Sequence, residues 1–79
     1  MEESSPLHLV DTRGLVCPEP LILLRNKVRA MQDGEKVRVL ATDPTTERDF
    51  SNFCRFMGHS LESSHIEAGE YSYVIRKKP

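Results

Sequence analysis

Cys17-Pro18-Glu19-Pro20-Leu21-Ile22-Leu23-Leu24 is the stretch on which the architecture turns. Proline has no backbone N–H and its ring clashes with the preceding turn, so two prolines this close are excluded from a helix interior. They are accepted in a first turn, where the N–H groups lack intrahelical partners in any case. The stretch therefore predicts a loop ending at Cys17 and a helix starting at Pro18, with Cys17 as the capping residue. A thiol so placed faces unpaired N–H groups and the positive end of the helix dipole. Both favour thiolate over thiol, and the expectation is a nucleophilic cysteine of lowered pKa.

Working outward, the helix is expected from about Pro18 to Met31. Leu21, Leu24, Val28 and Met31 form a stripe at helical spacing, with Arg25, Lys27 and Arg29 off it and facing solvent. Asp33-Gly34 supplies a stop. Upstream, Leu7–Asp11 reads as a strand, and Thr12-Arg13-Gly14 as a turn. Downstream, Lys36–Ala41 alternates and reads as a second strand. Asp43-Pro44 repeats the helix-start logic, with Asp43 capping and Pro44 opening a helix that runs to about Met57 and stops at Gly58. Phe50, Phe53, Cys54 and Met57 share its apolar face. Leu61–Glu67 and Tyr71–Arg76 read as strands joined at Ala68-Gly69-Glu70, with Tyr71, Tyr73 and Ile75 on one face. The order β-α-β-α-β-β predicts an α/β (α+β) two-layer sandwich, a four-stranded mixed sheet with both helices on one face.

A chain of 79 residues with 38% hydrophobic residues and no Trp suits one small domain, residues 1–79, with 1–6 expected as a frayed, disordered start. Lys+Arg 11 against Asp+Glu 12 leaves a net charge of -1, which argues against direct nucleic-acid binding. The acidic, polar start lacks the features of a signal peptide, and no apolar run reaches the roughly 20 residues of a membrane span. A cytoplasmic, reducing location is expected. Only two cysteines occur, Cys17 and Cys54, too few for a disulfide-stapled domain and too far apart in sequence for a C-x-x-C pair.

Arg13-Gly14-Leu15-Val16-Cys17-Pro18-Glu19-Pro20 resembles the signature of the TusA (SirA-like) sulfur-carrier family, a Gly-Leu-x-Cys-Pro-x-Pro element at the start of the first helix. Ala41-Thr42-Asp43-Pro44 is similar to the family's entry to its second helix. So are Asp49-Phe50, Phe53-Cys54, Phe56-Met57-Gly58-His59 and the ending Tyr71 to Lys77 to the later family pattern. The resemblance spans about Leu9 to Lys78 and implies a function that composition does not. Members accept sulfur from a cysteine desulfurase (IscS-like) as a protein-bound persulfide. They pass it to a downstream Tus relay complex that ends in 2-thiouridine at the tRNA wobble position. The persulfide-bearing residue implied here is Cys17, and the activity is sulfurtransferase in a loose sense. No cofactor, metal or membrane is implied, and no direct contact with nucleic acid.

Around Cys17, Pro18 and Pro20 are expected to fix the loop and first turn, and Gly14 to give the turn its freedom. Glu19 complements the dipole although its charge opposes the thiolate. Arg13 either supports an anionic sulfur or is solvated. Arg25, Lys27 and Arg29 are a solvated face or a basic docking surface for donor and acceptor. Cys54 reads as a packed core thiol. His8, His59 and His65 are scattered, without the four ligands of a zinc site. Rival functions are sulfur delivery to sulfur oxidation or molybdenum cofactor synthesis, a small thiol redox protein using Cys54, and an RNA-binding module on the open sheet face.

Overall fold

The computed structural model describes residues 7–78. The frayed start expected over residues 1–6 lies outside the described residues. The elements are β1 (Leu7–Asp11), α1 (Glu19–Ala30), β2 (Lys36–Ala41), α2 (Thr46–Met57), β3 (Ser60–Glu67) and β4 (Glu70–Arg76). They form one four-stranded sheet in the order β1-β2-β4-β3. β1 runs parallel to β2, while β2 pairs antiparallel with β4 and β4 with β3. This is the mixed-sheet α+β sandwich that the alternating pattern implies.

Register explains the core. Val37 pairs with Ile75 and Val39 with Tyr73 across β2 and β4. Successive strand residues point to opposite faces, so these four project together. All are fully buried, under Leu24 and Val28 of α1 and Phe50 and Cys54 of α2. The Phe50 and Tyr73 rings meet edge to face, with centroids 4.9 Å apart, a favoured aromatic geometry. The opposite sheet face carries polar pairs instead: Arg76 and Lys36 both reach Glu62, at 2.6 and 3.2 Å. A register shift between Leu61 and Ser63 accommodates the extra residue, Glu62.

Both helices begin later than the proline positions suggest. α1 starts at Glu19 with Pro18 as its cap, so Cys17 stands one residue outside the cap, and the Cys17–Pro18 peptide bond is cis. α2 starts at Thr46 with Thr45 as its cap. The Asp43 carboxylate is engaged in a turn before the helix, accepting the Thr45 N–H and hydroxyl, both at 2.9 Å. Such an Asp-centred turn competes with direct capping. α1 also stops earlier than Asp33-Gly34. Met31, drawn into the core, takes an extended backbone. Its carbonyl accepts the Lys77 ammonium at 2.6 Å. At the end of α2 the backbone turns left-handed at Gly58 (φ 81), where glycine meets no Cβ penalty.

Candidate active site

Four hydrogen bonds tie the loop of residues 12–18 to the far end of β2 and the turn that follows. The Thr12 N–H and hydroxyl both donate to the Leu40 carbonyl, at 2.8 and 2.6 Å. The Gly14 N–H donates to the Thr42 hydroxyl at 2.9 Å. The Cys17 N–H donates to Asp43 Oδ2 at 2.7 Å, a charge-assisted bond. Gly14 stands at φ 85 with open space around it, so the loop needs its backbone freedom rather than its small size. The result is an exposed Cys17 whose main chain is held by a carboxylate 26 residues away.

The Cys17 thiol donates to Asp49 Oδ2, with Sγ at 3.5 Å. The other carboxylate oxygen of Asp49 lies 3.5 Å from Arg48 Nε. The lowered thiol pKa expected from the helix terminus is overturned: the structure raises it. Partial desolvation contributes most, followed by the Asp49 hydrogen bond and then the negative charges of Asp49 and Asp43. Arg48 acts weakly in the opposite direction. The helix start supplies no counterweight, and the two prolines are part of the reason. Pro18 and Pro20 have no N–H to offer, the Glu19 N–H is bonded to the Val16 carbonyl at 3.0 Å, and the cap itself has moved to Pro18.

The other residues singled out in the sequence fall in different places. Pro20 is fully buried and packs α1 onto the core, while Pro18 and Glu19 are exposed beside the thiol. The Arg13 guanidinium is engaged by Asp11, with bonds of 2.9 and 2.8 Å, and lies 3.6 Å from Glu70. Cys54 is buried, and burial pushes its thiol up to about 11. The His59 ring accepts the Lys78 N–H at 3.1 Å. Among the described residues no group of three or more His, Cys, Asp or Glu is placed to hold a metal ion, and no helix is long and apolar enough to cross a membrane.

A groove of about 820 Å³ opens between α1 and α2, lined by Ile22, Arg25, Asp49, Phe53, Phe56 and Met57 among others. Asp49 joins it to the thiol. Phe56 is 90% exposed on its rim, and Val16, next to Cys17, is 66% exposed. Of the three basic residues of α1, Arg25 lines this groove, while Lys27 and Arg29 sit in the last turn of the helix. Sequence reasoning missed Asp49 and Phe56 as site residues. Asp49 stands in the family-like pattern, but nothing local ties it to Cys17, because that partner is 32 positions away. Phe56 was legible as an aromatic off the Phe50, Phe53, Cys54 and Met57 stripe.

A family model described as "Sulfurtransferase TusA" matches residues 8–77. The chain is 51% identical over 70 residues to proteins named "Sulfur carrier protein TusA" from Pseudomonas paraeruginosa (strain PA7) and from Pseudomonas aeruginosa strains LESB58 and PAO1. Each alignment covers 89% of this chain and 89% of the relative. With the match running from β1 through the Cys17 loop to the end of β4, the chain belongs to the sulfurtransferase TusA family.

Proposed function

We propose that this protein is a sulfur carrier that holds a sulfane sulfur as a persulfide on Cys17 and hands it to an acceptor thiol. One observation carries the reading: of the two cysteines, Cys17 alone is exposed, on a loop anchored to Asp43, while Cys54 is sealed in the core. The family membership supports the chemistry, and the relatives' name supports the carrier role. The step is an exchange. The Cys17 sulfur attacks the terminal sulfur of a donor persulfide, the donor S–S bond breaks, and the donor leaves as a thiolate.

The donor in this reading is a cysteine desulfurase, and the acceptor is a downstream relay protein in wobble-uridine 2-thiolation in the cytoplasm. The transfer is protein to protein, so the carrier itself touches no tRNA. The groove beside the thiol docks these partners through Phe56 and Arg25, apolar contact surrounding a cation that favours an acidic partner surface. Gly14, Pro18 and Pro20 act by shaping the loop. Burial of Cys54 speaks against a redox reading that needs it as a resolving thiol.

Intact mass spectrometry after incubation with a cysteine desulfurase and cysteine tests the proposal. The expected result is gain of one dithiothreitol-labile sulfur in wild type and in Cys54→Ser, none in Cys17→Ser, and a higher desulfurase requirement in Arg25→Glu. Equal loading of wild type and Cys17→Ser overturns it. Loss of loading in Cys54→Ser revives the two-cysteine redox reading.

A further inference from the structure

Among the described residues the Cys17 thiol has one close side-chain partner, and it is an anion rather than a cation. Asp49 Oδ2 lies 3.5 Å from Sγ, and Oδ1 faces Arg48 at 3.5 Å. The Asp49 side chain is only 17% exposed, so its direction is set by packing at the start of α2 rather than by free rotation in water. Its own N–H is tied to the Thr45 carbonyl at 3.0 Å, which fixes the helix turn from which it projects. A carboxylate so placed repels a thiolate but is well placed to receive the proton of a thiol. This resolves a conflict in the site: a nucleophile is needed, yet Asp43 and Asp49 both oppose the charged form. When the proton moves from sulfur to Asp49, the carboxyl becomes neutral and a hydrogen-bond donor, and the repulsion disappears as the thiolate forms.

We propose that Asp49 is the proton acceptor for Cys17 during sulfur loading, and the proton donor to it during unloading. The inference rests on the carrier reading above. In loading, the Cys17 S–H proton passes to Asp49 and the Cys17 sulfur bonds the terminal sulfur of the donor persulfide. The donor S–S bond breaks, and the departing donor thiolate takes up the proton. A thiol and a persulfide give a persulfide and a thiol, with no net oxidation. In unloading, an acceptor thiol gives its proton to Asp49 as its sulfur takes the terminal sulfur, Cys17 leaves as a thiolate, and Asp49 returns that proton to it. One carboxyl serves both half-reactions, first taking and then returning the proton at Sγ. The charged groups facing the thiol are Asp43 from the turn before α2 and Arg48 and Asp49 from α2, with exposed Glu19 nearby at the start of α1.

The test separates thiol acidity from transfer, using glutathione persulfide as donor so that docking in the groove plays no part. In Asp49→Asn the pH profile of Cys17 alkylation by iodoacetamide is expected to shift to lower pH, because a repelling charge is gone. Loading from glutathione persulfide at pH 7 is expected to slow by roughly 100-fold or more, because the acceptor is gone. Asp49→Glu, which keeps the carboxyl, is expected to recover part of that rate, and circular dichroism monitors the fold. Loading in Asp49→Asn as fast as in wild type, or faster, overturns the proposal and leaves Asp49 a mere electrostatic brake. An alkylation profile that does not move overturns it as well, by denying the contact. If wild type itself takes up no sulfur on Cys17, the carrier reading fails and the role of Asp49 falls with it.

Discussion

At Thr46 a single hydroxyl joins the core to the reactive loop. It donates to the Asp43 carbonyl at 2.7 Å, and the Tyr73 hydroxyl, 3.0 Å away in the core, donates to it. Asp43 then holds the Cys17 N–H through its carboxylate. Thr46 is 1% exposed and Tyr73 fully buried, so no solvent can replace the lost bonds if the hydroxyl is removed. Thr46→Val keeps shape and apolar volume but leaves the Tyr73 hydroxyl unpaired. The expected cost is about 1–3 kcal/mol, read from the urea midpoint at constant slope. A variant as stable as wild type contradicts this link between core and site. Residue identity alone does not reveal such a chain. Thr46 and Tyr73 are 27 positions apart, and an isolated Thr near a helix start reads equally well as a cap.

The elements were largely legible because their signals are local. β1 and β2 follow the alternating runs at Leu7–Asp11 and Lys36–Ala41, and the buried stripe of α1 is the spacing of Leu24 and Val28. The helix starts were displaced because proline marks the neighbourhood of a first turn without saying which residue the loop contacts will make the cap. The β3–β4 hairpin carries its own test. Ala68 stands at φ 52 and Gly69 at φ 79, the positive pair that a two-residue hairpin turn of type I′ requires. Gly69 adopts this freely, while Ala68 meets its own Cβ, at a cost of about 1 kcal/mol. Ala68→Asn, a residue that tolerates the left-handed region, is expected to raise stability by about 0.5–1 kcal/mol. A lower melting temperature in the variant argues against the turn geometry.

Over the whole molecule, carboxylates are held in their charged form by folding. Asp11 is lowered to about 2, chiefly by the Arg13 side chain. Glu35 is lowered by the Gln32 N–H and then by His8, Asp43 by the N–H groups of Thr45 and Cys17, and Glu62 by Arg76 and then Lys36. The unfolded chain, with carboxyl pKa values of about 4, takes up protons before the native state does. Their stabilising contribution is therefore complete above roughly pH 5 and is lost as pH falls through the folded values. The urea midpoint should fall slightly as pH drops below about 6.5, where burial and then Lys78 hold His59 below its ordinary value, and decline steadily from about pH 5 toward pH 3. A level midpoint down to pH 3 shows that these contacts do not survive in solution.

By itself the sequence determined the element order, the two-layer class, the family resemblance and Cys17 as the residue to examine. Each of these rests on spacing or on a contiguous motif, and both are written along the chain. Only the tertiary structure decided the chemical setting of the thiol. Asp43 and Asp49 reach Cys17 from α2 and the turn before it, because the sheet register and the packing of Phe50 on Tyr73 place that turn beside the Cys17 loop. The groove with Phe56 and Arg25 exists only because α1 and α2 lie side by side on one face of the sheet. The sign of the thiol shift was reversed for the same reason. A helix terminus is a local feature, but the desolvation that raises the thiol comes from packing, and the hydrogen bond and charges that add to it come from residues 26 and 32 positions away.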